Sequence, residues 1–538
     1  MTDATTFAPV RFHLADLLEA VVDAAGGRTA VVAGAARLTY AELDERANRL
    51  AHALAERGVG PGDRVALALR NGAEHLEAMA AAFKLRAAPV NVNYHYVEEE
   101  LRPLFNDADP AVVLCEPDAV DLVARAIGAP RPLLSPGAAY EAALAAAKPA
   151  RPDGSQRRGE DLYLIYTGGT TGRPKGVMWR HEDLFFAALG GGNRSGPPID
   201  APEAIVRHLG RRPTRTLPAS PLVHGTAQWS AWSTLLAGGT VVLCADRAFS
   251  AERLLDLVQA EAVSHLVIVG DAFAVPLGLA LDAEPDRWST DSLTVIVNGG
   301  APLSAGAAET LLRHAPGAVI VDGYGASETG GQGVEVITPG RRRSGPPRLR
   351  VGEHTAVLDE SLRPLTPGGG PVGQLARRGH VPLGYRNDPE GSAATFPVID
   401  GVRWAVPGDL ARLEDDGTVT LLGRGSNLIN SGGEKIHPLE VEEAVKTHPA
   451  VVDAVVVGVP DDRFGERVTA VVRLREGATL DLDELSRHCQ RLLARFKIPR
   501  ELVVAPEVRR LPSGKADYRW AAQAAQAARD RRGVDRGG

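Results

Sequence analysis

The sequence predicts a multidomain α/β protein with a large N-terminal domain and a small, mobile α+β C-terminal domain. Two blocks of alternating helix-like and strand-like segments precede residue 345, which favours two lobes of layered parallel sheet. Short strand-like runs separated by Gly, Pro and Asp turns then continue to residue 422 and predict a small β-rich subdomain. A chain of 538 residues also exceeds the usual size of a single core.

The first block begins with an amphipathic stretch that follows a threonine. Tyr40–Arg57 is predicted to be a helix, and Ala73–Leu85 is predicted to be the next one. The apolar runs Arg64–Leu69 and Ala88–Val92 predict strands on either side of this second helix. Ala129–Arg158 is rich in Ala, Pro and Arg and is interpreted as a loose connection.

The second block predicts four more strands, and its character changes near residue 345. The strands are Thr240–Leu243, His265–Val269, Leu293–Val297 and Ala318–Val321. Gly345–Leu422 is the predicted β-rich subdomain.

The last change of pattern falls at Arg424–Ser426, which is predicted to be a hinge. The domain limits are therefore residues 1–423, the hinge 424–426, a lid domain 427–525 and a frayed tail 526–538. The elements expected in the lid domain are a hairpin at Leu428–Ile436, helices at Pro438–Thr447 and Leu482–Arg495, and strands at Val451–Val457 and Val468–Arg473.

The composition and charge of the chain argue against several classes of protein. Sixty basic and 67 acidic side chains give a net charge of −7, which argues against a general nucleic-acid binder. No membrane span and no signal peptide are expected. Cys115, Cys244 and Cys489 are far apart without metal-ligand spacing, and Cys115 and Cys244 end apolar runs, so buried free thiols and a cytoplasmic location are expected.

The most informative stretch runs from Tyr166 to Gly176, directly after the apolar run Leu162–Ile165. It holds four glycines, three threonines and one lysine in eleven residues. Glycine lets backbone N–H groups approach an anion, and Thr and Lys add donors, so a phosphate-binding loop is predicted. Lys175 lies between Pro174 and Gly176, unlike the lysine of the NTPase P-loop. The alternative is a glycine-rich surface turn. The candidate contacts are Thr167, Gly168, Gly169, Thr170, Thr171, Gly172 and Lys175.

Five further motifs follow in a fixed order. They are Ser220–Gly225, Asn298–Leu303, Asp322–Thr329, the pair Pro407–Asp409 with Gly423–Arg424, and Pro512–Lys515. Together with the phosphate loop, this series resembles the adenylate-forming superfamily across nearly the whole chain. The resemblance implies an acyl-CoA ligase that joins an acid to ATP as an acyl-adenylate and then transfers the acyl group to CoA. The implied cofactors and co-substrates are ATP, Mg²⁺ and CoA, and a homodimer is an open alternative to a monomer.

The resemblance also implies roles for individual residues. Lys515 would bridge the carboxylate and α-phosphate oxygens, and Glu328 would bind magnesium. His224 would gate the acyl pocket, and Lys435 would act from the loop Ser431–Lys435, which is expected to line the CoA tunnel through Gly432 and Gly433. Each of these residues has an ordinary alternative as a solvated or structural side chain.

The adenine and ribose contacts are implied in the same way. Tyr324 would stack on adenine between two glycines, while Asp409 and Arg424 would bind the ribose. The full set of implied nucleotide contacts in this region is Gly299, Gly300, Ala301, Pro302, Asp322, Gly323, Tyr324, Gly325, Ser327, Thr329, Asp409 and Arg424.

The acid is inferred from the predicted pocket walls. Small residues dominate His224–Trp229, Gly270–Val275, Asn298–Ala301 and Tyr324–Ala326, which favours a wide apolar ligand. No acidic residue is expected where an α-amino group would need a counter-charge.

Three short segments resemble an actinobacterial branch of acyl-CoA synthetases: Val177–Arg180, Gly423–Ser426 and Ser431–Lys435. Several enzymes of that branch act on steroid side-chain acids. A bulky apolar monocarboxylate, steroid or terpenoid, is therefore expected. The competing interpretations are a peptide-synthetase adenylation module, a luciferase-type enzyme, a homologue that performs one half-reaction and a non-catalytic acyl- or nucleotide-binding protein.

Overall fold

The computed structural model describes residues 11–168, 174–193, 196–341, 343, 346–368, 372–431, 434–461, 464–511 and 514–534. The chain forms two compact units. Unit 1 comprises Met1–Val267, Ala326–Gly331 and Arg378–Ala405, and unit 2 comprises Ile268–Gly325, Gln332–Arg377 and Val406–Gly538. None of the helices in the described ranges has the length and apolar character that a membrane span needs.

Helices and strands alternate through the first half of the chain, as predicted. The elements are α1 (Leu14–Ala25), β1 (Thr29–Ala33), β2 (Ala36–Thr39), α2 (Tyr40–Ala55), β3 (Arg64–Ala68), α3 (Ala73–Lys84), β4 (Ala88–Asn91), α4 (Glu98–Ala108), β5 (Val112–Cys115), α5 (Val120–Ile127), β6 (Leu133–Leu134), α6 (Ala138–Ala146), β7 (Leu162–Gly168), β8 (Pro174–Arg180), α7 (His181–Ala188), β9 (Arg215–Pro218), α8 (Gly225–Leu236), β10 (Thr240–Leu243), α9 (Ala251–Ala260) and β11 (His265–Ile268).

The middle of the chain continues this alternation and then becomes mainly strand. Its elements are α10 (Asp271–Ala283), β12 (Val295–Gly299), α11 (Ala305–His314), β13 (Val319–Ala326), β14 (Gly330–Ile337), β15 (Arg348–Val351), β16 (Thr355–Leu358), β17 (Gly373–Arg378), β18 (Gly384–Tyr385), α12 (Pro389–Thr395), β19 (Val398–Ile399), β20 (Val402–Ala405), β21 (Asp409–Leu413) and β22 (Val419–Arg424).

The final segment forms the small α+β domain. Its elements are β23 (Ile429–Ser431), β24 (Glu434–Ile436), α13 (Pro438–Lys446), β25 (Val451–Asp461), β26 (Gly465–Leu474), α14 (Leu482–Cys489), β27 (Glu501–Val504) and α15 (Tyr518–Val534). The mixed α/β class with a large N-terminal and a small C-terminal domain is thus confirmed.

Two sheets organise unit 1. One has the strand order β18-β8-β7-β4-β3-β5-β6, and its central strands β7, β4, β3 and β5 are parallel. In the other, β1, β10, β9 and β11 are parallel, and β2 adds an antiparallel edge. β4 and β5 are buried at every residue because parallel sheets are covered on both faces. A capping box between Thr39 and Glu42 starts α2 where the sequence predicts a helix.

Unit 2 contains the parallel pair β12–β13, an antiparallel group built around β21 and β22, and the sheet of the C-terminal domain. This last sheet has the order β24-β23-β26-β25, with β27 parallel to β26. The core on one face contains Val441 and Leu485, from α13 and α14, and a second core contains Ala521 and Ala525 from α15.

Four local expectations are corrected. Ala129–Arg158 contains β6 and α6 instead of only a loose connection, because Tyr140 and Leu144 are buried. The helix expected to reach Arg495 ends at Cys489. Helix α15 extends to Val534, where a frayed tail from Gln526 is expected, since Ala528 joins Ala521 and Ala525 in a buried stripe. Cys115 and Cys489 are buried as free thiols, but Cys244 is only half-buried.

Candidate active site

The predicted phosphate loop is the turn of a β-hairpin. β7 and β8 are antiparallel, with Thr167 opposite Lys175 and Gly168 opposite Pro174. The loop is therefore shorter than the sequence suggests, because Pro174 to Gly176 belong to a strand. A Cβ on Gly176 would lie 2.7 Å from the ring of Tyr166, so glycine lets these strands pair. Gly169, Thr170, Thr171 and Gly172 lie outside the described residues.

Lys175 is held by groups from a distant part of the sequence. Its Nζ lies 2.8 Å from Oδ2 of Asp388, which precedes α12, and 4.8 Å from the centre of the Tyr385 ring. The hydrogen bond from Lys175 lowers the pKa of Asp388. A cation fixed in this way next to a phosphate-type loop can neutralise an anion there.

Glu328, the predicted magnesium ligand, shares Tyr385 with Lys175. The Tyr385 hydroxyl donates to Oε1 of Glu328 at 2.9 Å, and the glutamate is buried. The described residues contain no group of three or more His, Cys, Asp or Glu arranged to hold a metal. One carboxylate fits Mg²⁺, which takes few protein ligands and completes its shell with water and phosphate oxygens. Lys175, Tyr385 and Glu328 thus form one connected cluster in unit 1.

The residues beside Glu328 have structural partners. The Ser327 carbonyl accepts a hydrogen bond of 2.9 Å from the indole of Trp179. Thr329 is fully buried, and its hydroxyl donates to the Gly330 carbonyl and accepts from the Ala326 amide. Thr329 therefore holds the turn that carries Glu328, a use of the hydroxyl that the sequence does not predict.

Asn91 is an organising residue that the sequence analysis misses. It ends β4, and its side chain donates to the carbonyls of Tyr166 and Val223 at 2.9 and 2.7 Å and accepts from the Tyr166 amide at 2.6 Å. This one amide joins β7 to the segment just before His224, the residue that immediately precedes α8. The signal in the sequence is a polar residue within the apolar run Ala88–Val92.

Asn298 has the corresponding role in unit 2. Its side chain accepts from the Gly270 amide at 2.7 Å and donates to Oδ1 of Asp322 at 2.7 Å and to the Ala301 carbonyl at 3.0 Å. It thus connects the segments that follow β11 and β12 with strand β13. Asp322 also binds Arg343 at 2.6 Å and is buried, so its carboxylate is already engaged by protein groups.

The predicted adenine motif surrounds this asparagine. Gly299 pairs with Gly323 between β12 and β13, and Gly300 has φ +89°. The Pro302 carbonyl accepts from the Asp271 amide at 3.2 Å. Tyr324 packs partly against the core of the β-rich subdomain, and Gly325 follows it near the end of β13. The structure thus brings these six predicted residues together with Ala301.

The two predicted ribose contacts are neighbours. Asp409 on β21 lies opposite Arg424 on β22, and Nε of Arg424 is 3.8 Å from Oδ1 of Asp409. Arg424 leads into a 3₁₀ turn, Gly425–Asn427, whose first amide donates to the Gly408 carbonyl at 3.1 Å. This turn overlaps residues 424–426, for which a hinge is predicted.

The predicted CoA-tunnel loop connects β23 to β24. Ser431 pairs with Glu434, and the exposed Lys435 pairs with Asn430. Gly432 and Gly433 lie outside the described residues.

Lys515 closes a tight turn in unit 2. Its carbonyl accepts from the Leu511 amide at 2.8 Å, and the Gly514 amide donates to the Leu511 carbonyl at 2.8 Å. Gly514 has φ +82°, and a Cβ there would lie 2.9 Å from Val269. Lys515 itself is exposed. The residue before it, Gly514, packs against Val269, which lies between β11 and Gly270.

Local packing also explains why some residues of the predicted acyl pocket are small. Gly270 has φ +60°, and a Cβ would lie 2.4 Å from the Pro302 carbonyl oxygen, while a Cβ on Gly225 would lie 3.0 Å from Ile165. Small size at these two positions is therefore weaker evidence for a wide ligand than the sequence suggests. Asp271 lies in a predicted pocket wall, but its two oxygens bind the Ser304 amide and Lys446, so it is engaged before any substrate amine arrives.

A cavity of about 290 Å³ in unit 1 contains none of the predicted site residues. Its lining includes Arg64, Arg86 and Arg386. Arg86 is bound by Asp161, and Arg64 by carbonyls and Asp109, so these cations already have protein partners.

Comparisons with known proteins show which proteins this chain is similar to. The family model described as AMP-binding enzyme matches residues 18–385, and the one described as AMP-binding enzyme C-terminal domain matches 440–515. The chain is 42% identical over 532 residues to a 3-oxocholest-4-en-26-oate–CoA ligase from Rhodococcus rhodochrous, with 95% of each chain covered. It is 41% identical over 557 residues to the medium-chain acyl-CoA ligase Mig from Mycobacterium avium, covering 98% of this chain and 100% of the relative.

Among solved structures, the chain is similar to ATP-bound MatB from Rhodopseudomonas palustris. The TM-score is 0.80 at 28% identity, and the match covers 95% of this chain and 98% of MatB.

Proposed function

The chain belongs to the AMP-binding enzyme family and is an AMP-forming acyl-CoA ligase, and we propose that its acid is a bulky apolar monocarboxylate. A steroid side-chain acid is the first candidate, and a medium- or long-chain fatty acid is the second. Both follow from the names of relatives that are aligned over nearly their full length. The single structural observation that carries the ATP chemistry is the convergence of Lys175 and Glu328 on Tyr385.

In the first half-reaction, a carboxylate oxygen of the acid attacks the α-phosphorus of ATP. The bond from the α-phosphorus to the bridging oxygen breaks, and pyrophosphate leaves with the electron pair. Lys515 neutralises the two anions as they meet, and Lys175 binds the polyphosphate. Glu328 would hold Mg²⁺, which supplies further charge neutralisation at the phosphate oxygens.

The nucleotide base and sugar are bound by groups of unit 2. Tyr324 stacks on adenine beside the glycines that follow β12, and Asp409 accepts the ribose hydroxyl protons with Arg424 beside it. The connections made by Asn298 support this assignment because they fix the backbone around the adenine motif.

In the second half-reaction, the CoA thiolate attacks the acyl carbonyl carbon, the bond from that carbon to the phosphate oxygen breaks, and AMP leaves with the electron pair. The loop 431–435 lines the path of the thiol, and His224 gates the acyl pocket. We place the reaction in a reducing compartment such as the cytoplasm, since all three cysteines are free.

The test separates the two half-reactions on a panel of acids. Purified full-length protein is given ATP, Mg²⁺ and one acid at a time: a steroid side-chain acid, an octanoate, a palmitate, an aryl acid or an amino acid. Pyrophosphate release is measured without CoA, and thioester formation is measured with CoA by mass spectrometry. We expect thioester from the steroid or fatty acids. Preference for the amino acid, or adenylate without thioester for every acid, would refute the proposal.

A further inference from the structure

A buried ion pair joins the C-terminal domain to the predicted adenine region within unit 2. Lys446, the last residue of α13, lies with its Nζ 3.0 Å from Oδ2 of Asp271, the first residue of α10. The Asp271 side chain is completely buried, and that of Lys446 is 6% exposed. The other oxygen of Asp271 accepts from the Ser304 amide at 2.8 Å, so the carboxylate is fixed from both sides.

The pair continues into the turn that carries Lys515. Nζ of Lys446 is 3.7 Å from Asp453, which makes a double hydrogen bond with Arg510. Arg510 immediately precedes this turn and bridges to Ala516 on its far side. At the other end, Asp271 directly follows Gly270, whose amide binds Asn298.

Buried ion pairs seldom add net stability, because desolvation offsets the attraction between the charges. Their better-supported role is to specify one arrangement among several, since any other arrangement leaves a charge buried and unpaired. The arrangement that the pair of Asp271 and Lys446 specifies is one in which Gly514 contacts Val269.

We propose that Asp271 and Lys446 are positioning residues that seat the C-terminal domain with the Lys515 turn at the end of β11, as adenylate formation requires. This inference rests on the proposed function. Neither residue touches the reacting atoms. The pair acts through Lys515 in the first half-reaction and has no part in the second, in which Lys515 is not used.

The experiment uses Lys446→Met and the double variant Asp271→Asn/Lys446→Met in the full chain. The double variant removes both charges of the pair, and its asparagine can still accept from the Ser304 amide, so it tests the proposal if the single variant folds poorly. Lys446→Arg keeps the charge and tests for rescue. The matched control is Lys497→Met, which breaks an ion pair of 2.7 Å with Glu440 inside the C-terminal domain.

Pyrophosphate release and thioester formation from supplied acyl-adenylate are measured separately. We expect the first rate to fall by about 10²-fold in Lys446→Met and in the double variant, as a misplaced catalytic group does. The second rate should stay at the wild-type value, Lys446→Arg should recover most of the loss, and Lys497→Met should leave the ratio of the two rates unchanged. Equal loss in both half-reactions, or an unchanged ratio, would overturn the inference.

Hydrogen exchange gives a readout that needs no turnover. The amides of Leu511 and Gly514, which are hydrogen-bonded within the turn, should exchange faster in Lys446→Met than in wild type, and Lys497→Met should not have this effect. A wild-type chain that forms no thioester would refute the proposed function alone, whereas unchanged exchange in Lys446→Met would refute the positioning role alone.

Discussion

Single side chains hold the candidate site together by reaching several chain segments at once. Asn91 and Asn298 each bind three backbone or side-chain groups from different segments, and Tyr385 contacts both Lys175 and Glu328. A neutral side-chain amide can donate and accept hydrogen bonds at the same time, so it can bind both N–H and C=O groups at the ends of neighbouring strands.

Lys515→Ala should slow pyrophosphate release by about 10²–10³-fold, because one group that neutralises the developing charge is lost. Thioester formation from supplied acyl-adenylate should change far less, since the carboxylate and phosphate no longer approach each other. The two rates are measured on one preparation, and a similar loss in both would contradict the assignment of Lys515.

Tyr385→Phe should weaken the use of magnesium while leaving the ring over Lys175 in place. Groups that orient a metal ligand typically contribute about 10–100-fold to metal affinity, so the Mg²⁺ concentration for half-maximal pyrophosphate release should rise by this factor. Tyr163→Phe removes another buried tyrosine hydroxyl, one that binds Gln228, and serves as control. An unchanged magnesium titration in Tyr385→Phe would show that Glu328 needs no such support.

Glu443→Gln should remove a pH-dependent loss of stability. Burial raises the pKa of Glu443 to about 7 from an ordinary value of 4.5. The negative charges of Asp271 and Glu442 also raise this pKa, whereas the positive charges of Lys446 and Arg343 lower it. Between these values the folded chain holds a proton that the unfolded chain releases, so stability falls as pH increases. The loss amounts to about 3 kcal/mol above pH 7.

The measurement for Glu443→Gln is urea unfolding at pH 5.5 and at pH 8. The variant should gain stability over the wild type at the higher pH and little at the lower one. Glu434→Gln, which changes an exposed carboxyl, is the matched control. A gain of equal size at both pH values would mean that ionisation of Glu443 is not the cause.

At the scale of elements, the site is built from turns between regular strands. The phosphate loop connects β7 to β8, the adenine motif follows β12, the Glu328 turn connects β13 to β14, and the loop 431–435 connects β23 to β24. Strands fix the ends of each turn, and turns between regular elements commonly carry binding residues.

Gly432→Leu should block the path of the CoA thiol while leaving adenylation near the wild-type rate. The reason is that a branched side chain would occupy space that the pantetheine arm needs close to the backbone. Pyrophosphate release without CoA and thioester formation with CoA are compared, with Gly477→Leu, at another turn of the same domain, as control. Parallel loss of both activities would mean that the loop is structural.

At the scale of the whole molecule, two half-reactions place different demands on the C-terminal domain. Lys515 and the loop 431–435 come from opposite ends of its sequence, about 80 residues apart. Under the proposed roles, the first reaction uses Lys515 and the second uses the loop, so rotation about residues 424–426 would exchange them. The 3₁₀ turn Gly425–Asn427 is the segment that would absorb this motion.

Ser426→Pro should hold the C-terminal domain in one orientation, since proline fixes φ near roughly −65°, a value that a 3₁₀ turn accepts. The orientation described here packs Gly514 on Val269, so we expect pyrophosphate release to persist and thioester formation to slow. Both rates and the thermal midpoint are measured. A variant of normal stability with both activities intact would place the hinge elsewhere.

Much of the fold follows from local patterns. The strand Thr240–Leu243 has the predicted limits, and α2, α3 and α13 begin at the predicted residues, because apolar periodicity and caps act over a few neighbouring positions. Helix α6 and the end of α15 are not predicted, since alanine-rich segments carry weak periodicity. Burial of Tyr140 and Ala528 against partners from elsewhere in the chain decides both.

The sequence alone determined the class of protein, the order of its motifs and the residue types that phosphate, metal and acid chemistry need. It did so because glycine-rich turns and isolated charged residues can be recognised within short stretches. Only the tertiary structure decided which of these residues share a partner: that Tyr385 joins Lys175 to Glu328, that Asn298 connects three segments, and that Asp271 binds Lys446. Apart from the contact of Asn298 with Ala301, these contacts join residues separated by 24 to more than 200 positions, and no local pattern encodes such pairings.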